Sequence, residues 1–250
     1  MKAITIKFSL AVLLHHCTNI KRVIPILLVM LLLSGTSNLL AQDANGLLSE
    51  IKTKLQKVND YVGEGNLVTD VSFINIPDSK VKVYFRQPDQ FRIIKADGIS
   101  IFPKGGMSVS LNTLLSGKDF VAVPGGYTTY NKKKMAVVKL LPVAENSDVV
   151  LTTLVVDEST ALVHKTTTTT KDNGTYETFL EYGKYLSWGL PDKVLFVFNT
   201  NAYKLPKAVT MEYEGSKKAA AKKPAGDGKG RVSVTYDRYL INKGLPKGIF

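Results

Sequence analysis

The sequence predicts a mainly β fold, one large and mostly antiparallel sheet with helices at Leu47 to Val58 and near Leu111 to Leu115. Three observations carry this expectation. In Lys80-Val-Lys-Val-Tyr-Phe-Arg86, apolar and polar side chains alternate with the period of a strand. From Val149 to Tyr185, long stretches rich in Val, Thr, Phe and Tyr are separated by turn-forming residues. By contrast, Leu47 to Val58 repeats its apolar residues at spacings of three and four, the period of a helix. The 250 residues are 44% hydrophobic and 22% charged, which suits a globular chain rather than a disordered or multi-span membrane protein; one domain is the simplest reading.

Residues 1–41 read as a signal peptide. Lys21 and Arg22 precede an apolar run from Val23 to Leu33, and Ser34 to Ala41 ends in Leu39-Leu40-Ala41 before Gln42. The run is too short to span a bilayer. Removal after Ala41 and secretion of a soluble chain from Gln42 to Phe250 are therefore expected. The stretch before Lys21 is long for such a segment and holds a second apolar patch, Phe8 to Leu14, so a long signal and a misplaced start codon both fit. A lipid anchor on Cys17 is disfavoured, because His15 and His16 stand where that processing needs small residues.

Taken in order, Leu47, Leu48, Ile51, Leu55 and Val58 form one apolar stripe, with Asn45 placed to cap the helix. In the strand at 80–86, Val81, Val83 and Phe85 share the buried face, and Lys80, Lys82, Tyr84 and Arg86 the wet one. Val149 to Val156 turns through Asp157-Glu-Ser-Thr160 into Ala161 to Thr170, and Asp172-Asn173-Gly174 tolerates the positive φ of a hairpin before Thr175 to Tyr185. The consecutive threonines Thr166 to Thr170 are β-branched and suit a strand. Val194 to Phe198, Ala208 to Tyr213 and Arg231 to Ile241 are further strands, and the pairs Gly105-Gly106 and Gly125-Gly126 read as turns. Gly215 to Gly230, rich in Gly, Ala and Lys, has no apolar face and reads as a flexible, solvated loop within an extension from Lys207 to Phe250.

Without its first 41 residues the chain has no cysteine, and His164 is its one histidine. Disulfides and Cys/His zinc sites are then excluded. A Ser-His-Asp triad would have to use His164, whose setting in Ala161-Leu-Val-His-Lys-Thr166 is that of a structural strand residue rather than a catalytic loop. There is no phosphate loop, zinc-protease helix motif or nucleophile elbow. Glu177 and Glu181 share a face by strand alternation alone. The net charge of +12 falls to +8 (29 basic less 21 acidic residues) after Ala41, with the lysines spread along the chain, so nucleic acid is not an expected partner. No catalytic residue, metal ligand or cofactor is expected. An apolar sheet face larger than two short helices can cover points instead to binding a hydrophobic ligand.

Tyr84-Phe-Arg-Gln-Pro-Asp-Gln-Phe-Arg-Ile93, followed by Asp97-Gly98, resembles the Arg-Pro-x-x-Phe-Arg and Asp-Gly signature of the LolA family of periplasmic outer-membrane lipoprotein carriers. Pro88, Phe91, Arg92, Asp97 and Gly98 match it. Leu114-Leu-Ser-Gly117, Val137 to Pro142, Val155-Val-Asp157, Asn173-Gly174 and Phe196-Val-Phe198 follow in the family's order, so the resemblance covers Leu47 to Asn199. It implies a strongly curved antiparallel sheet, an incomplete barrel under a helical lid, holding the acyl chains of lipoproteins or another lipid. It further implies a monomeric periplasmic carrier or chaperone that meets lipoprotein-transport components of the inner and outer membranes. Candidate wall residues of the hydrophobic cavity are Phe85, Phe91, Ile93, Phe179, Phe196 and Phe198, although alternation leaves open which parity faces inward. Carriers place a basic residue, associated with lid closure, directly before the proline, where this chain has Gln87; whether Arg86 or Arg92 replaces it stays open. The alternative is a regulatory or sensory module resembling RseB, binding a protein partner or lipid in the envelope. RseB-like proteins carry a second folded domain, for which 207–250 is short.

Overall fold

The computed structural model describes residues 43–71, 77–95, 110–115, 119–200 and 228–250. Helix α1, Ala44–Gln56, is followed by strands β1, Asp60–Asp70, β2, Ser79–Arg86, and β3, Gln90–Lys95. A short helix α2, Leu111–Leu115, leads to β4, Phe120–Tyr130, β5, Lys133–Pro142, β6, Val149–Asp157, and β7, Leu162–Thr170. Strands β8, Thr175–Glu181, β9, Lys193–Asn199, and β10, Lys229–Ile241, complete the sheet. The strand order is β3-β2-β1-β10-β9-β8-β7-β6-β5-β4, and every neighbouring pair is antiparallel. The edge strands β3 and β4 do not pair with each other, so the sheet is an incomplete barrel, as the family resemblance implied.

Bulges interrupt the ladder at four places. Asp237 is an extra residue of β10 against β1, His164 of β7 against β6, and Val150 of β6 against β7, while Gly125-Gly126 of β4 oppose Val137 alone. Each bends its strand and raises the local twist, which is how a long sheet curls around one face. Gly125-Gly126, read from the sequence as a turn, is therefore a bulge inside a strand; Gly126 supplies its positive φ of 77°.

Asp43, not Asn45, caps α1: its Oδ1 accepts the Gly46 N–H at 2.8 Å. An aspartate there also places negative charge at the positive end of the helix. A lone helix of this length is marginal in water. What holds it is Leu47, Leu48, Ile51 and Leu55, packed with Leu114 and Leu115 of α2 onto Val138, Leu140, Leu154 and Val156 of the sheet. At about 1.5–3 kcal/mol for each large apolar side chain, this burial outweighs the propensity of any single residue. The helices thus cover the half of the concave face built by β4 to β8.

The remaining strands carry a second cluster: Tyr61, Phe85, Ile93, Val194, Tyr236 and Tyr239. Strand β1 lacks a sequence signature because Gly63 and Gly65 break its alternation. A Cβ on Gly63 would lie 2.8 Å from the Tyr236 ring, and one on Gly65 would lie 2.2 Å from the Thr235 carbonyl oxygen. These glycines mark close approach, not a turn.

Elsewhere the expected elements hold with shifted ends. Ala161 lies in the turn at φ 49°, and β7 starts at Leu162. Strand β8 stops at Glu181 rather than Tyr185; a 3-10 turn, Leu186–Trp188, follows and closes on Gly189 at φ 68°. Tyr84, expected to be wet, is buried, in register between Val62 and Arg92 on the outer side of the sheet. Lys229 and Gly230 open β10 and do not belong to a loop. The rest of the lysine-rich segment, the strand expected at Ala208 to Tyr213 and Gly105-Gly106 lie outside the described residues.

Candidate ligand site

The other half of the concave face holds a cavity of about 30 Å³. Tyr61 of β1, Phe91 and Ile93 of β3, Leu180 of β8, Val194 of β9 and Tyr236 of β10 converge on it, and Leu111 and Asn112 of α2 close it. Its aromatic wall is ordered by ring packing: Tyr239 lies 4.6 Å from Tyr236, stacked, and 5.3 Å from Tyr61, edge on. The Tyr239 hydroxyl donates to the Pro191 carbonyl at 2.8 Å. Burial pushes the phenols of Tyr61, Tyr236 and Tyr239 up, so all three are neutral donors at physiological pH. No charged side chain is buried among the described residues. The site can therefore accept apolar and neutral polar groups, but it has no ion with which to pair a buried charge.

Two solved structures share this architecture. A domain from Vibrio parahaemolyticus named for outer-membrane lipoprotein sorting superposes with a TM-score of 0.54 at 10% identity, over 83% of this chain and 95% of that one. A LolA superfamily protein from Nitrosomonas europaea gives 0.52 at 11% identity, over 83% and 96%. The fold is LolA-like. No protein-family profile and no curated protein matches the sequence.

Within the LolA-like sheet, five of the six candidate wall residues lie on the concave side. Phe91 and Ile93 line the cavity, Phe85 packs beside it, and Phe196 and Phe198 form a neighbouring cluster with Tyr176 and Val71. Phe179 is on the opposite face, beneath Lys165 with its Nζ 5.1 Å from the ring centre. The reason is parity: Tyr176, Thr178 and Leu180 of β8 point inward, leaving Glu177, Phe179 and Glu181 outward. Those two glutamates pair with Lys165 at 2.6 Å and Lys193 at 3.7 Å, which accounts for both carboxylates.

The signature positions are scattered by comparison. Pro88 is exposed in the β2–β3 turn, and Arg92 faces outward, donating to the Ile249 carbonyl. Asp97 and Gly98 lie outside the described residues. Gln87 Nε2 donates to the Val58 carbonyl at 2.8 Å and the Gln56 carbonyl at 3.2 Å, tying the β2–β3 turn to the end of α1. Arg86 turns away to Gln90 Oε1 at 2.6 Å and to the Phe250 ring at 5.3 Å.

Alternation alone does not find Tyr61 and Tyr239. From Val232 through Val234 to Tyr236 the inward parity is regular, but the bulge at Asp237 resets it, so Tyr239 rather than Arg238 joins the wall. His164, itself a bulge residue, packs edge-on against Tyr182 at 5.4 Å and lies 6.3 Å from Tyr130.

Proposed function

We propose that this chain is a periplasmic carrier or chaperone, made with a signal removed after Ala41, that holds the acyl chains of lipoproteins or a related lipid. The observation that carries the reading is the concave apolar face of a LolA-like sheet, which α1 and α2 cover only in part. Binding, not bond-making, is the work such a face can do. Each buried methylene is worth about 0.8 kcal/mol, so a chain of about fifteen carbons offers about 12 kcal/mol before the costs of ordering it. The cavity is far smaller than such a chain: about 30 Å³ holds a few waters. Uptake therefore requires Leu111 and Asn112 of α2 to yield, and the same displacement in reverse gives release.

Phe91 is the residue on which to test this. It lines the cavity yet is only half-buried, so Phe91→Glu should fold while placing an unpaired carboxylate where the chain must lie. With native circular dichroism, its uptake of a fluorescent fatty acid or of a lipoprotein should fall by about a hundredfold or more. Failure of the wild-type protein to bind any acylated ligand would end the carrier reading in favour of a partner-binding module. N-terminal sequencing of periplasmic protein tests the localisation, and a chain still starting at Met1 would contradict it.

A further inference from the structure

The inward face of β6, β7 and β8 is not uniformly aliphatic. Thr152, Thr166, Thr168, Thr170 and Thr178 are all buried there, among Leu, Val and Phe residues at the neighbouring inward positions. Strand propensity does not require this, because valine is equally β-branched and fills the same volume. Some of the hydroxyls are satisfied locally. Thr152 and Thr168 share a hydrogen bond of 3.2 Å, and Thr170 Oγ1 donates to the Gly174 carbonyl and accepts the Asn173 N–H, both at 3.1 Å. Thr178 is different: it is 4% exposed, and its Oγ1 has no hydrogen-bond partner among the described residues. A buried hydroxyl without a partner destabilises the fold relative to valine.

Its position connects it to the cavity. Thr178 is the next inward residue from Leu180 on β8, and it is in register with Phe196, the next inward residue from Val194 on β9. Leu180 and Val194 both line the cavity. Two residues of strand span about 7 Å, so a chain extending from the cavity along the sheet passes over Thr178 next. With no charged side chain buried nearby among the described residues, a neutral group able to hydrogen-bond suits this hydroxyl, and on an acylated ligand the ester carbonyl, an acceptor for its O–H, is such a group.

We propose that Thr178 Oγ1 donates to the carbonyl of an acyl ester, so that the concave face reads the linkage of its ligand as well as the length of its chain. The inference rests on the acyl-binding reading and specifies the ligand as an acylated one. The test compares 1-monopalmitoylglycerol with 1-O-hexadecylglycerol, which share chain length and headgroup but differ in the carbonyl, by displacement of a fluorescent fatty acid from the full secreted chain. The wild-type protein should prefer the ester by about two- to tenfold, the worth of one hydrogen bond. Thr178→Val should abolish that preference and raise the melting temperature, and Thr178→Ser should keep the preference. Equal binding of the two lipids by the wild type, or a preference that survives Thr178→Val, overturns the proposal while leaving acyl binding intact. Binding of neither lipid overturns the carrier reading and this inference with it.

Discussion

His164 shows how one residue can be structural and still respond to pH. As the extra residue of a bulge it is freed from the inward and outward alternation of β7, and its ring goes instead to Tyr182 and Tyr130. Burial lowers its pKa below the ordinary imidazole value, opposed by the carboxylate of Asp157 and assisted by the ammonium of Lys133. The sign follows from linkage. Because the folded pKa is depressed, the unfolded chain binds the proton more readily, so the contribution to stability is complete above the unfolded value and is lost as pH falls through the folded one. His164→Phe keeps a ring against Tyr182 and removes the titration. Its urea midpoint should change less than that of the wild type between about pH 7 and pH 5. An identical pH slope in the two proteins would show that folding does not shift the pKa of this ring.

At the level of elements, the contact between α1 and the β2–β3 turn depends on a single amide. Gln87 spends its side chain on two carbonyls at the end of α1, and its own N–H donates to Asn59 at 2.8 Å. Gln87→Ala leaves those carbonyls to water and should cost about 1–2 kcal/mol in equilibrium unfolding. Lipid uptake should also speed up if α1 must move for the ligand to enter; unchanged stability and uptake would show that the amide merely fills space. Regular elements were the legible ones. Val81, Val83 and Phe85 were correctly placed from alternation because no bulge interrupts β2 against β1. Tyr239 was hidden because an extra residue two positions earlier inverted the parity, and β1 was hidden because its glycines serve bulges and rings that only the folded sheet supplies. Alternation alone assigns Phe179 to neither face; the neighbouring glutamates, with lysine partners on both flanking strands, mark its side as the outer one.

For the whole molecule, the decisive fact is where β10 lies. It pairs with β1 on one side and β9 on the other, so among the described residues the ladder joins the block β1–β3 to the block β4–β9 through the last strand of the sheet. Asp70 faces Arg231 across this seam. Such distant pairing makes folding slow for a chain of this size. It also sets a clock. A ribosome adding about 5–20 residues per second needs roughly ten to thirty seconds between β1 and β10. Throughout that interval β1 has β2 on one side but lacks the strand it pairs with on the other. Translated from Gln42 without the export signal, a nascent chain arrested at successive lengths should generate folding force only once Ile241 has left the exit tunnel; a pull already present with Asn199 outside would mean that β4–β9 folds by itself. The interval is a period of exposure in which the first hairpin is a sticky, unfinished edge, so the abundance of the protein in the cell should depend on a holding chaperone far more than the stability of the finished sheet would suggest.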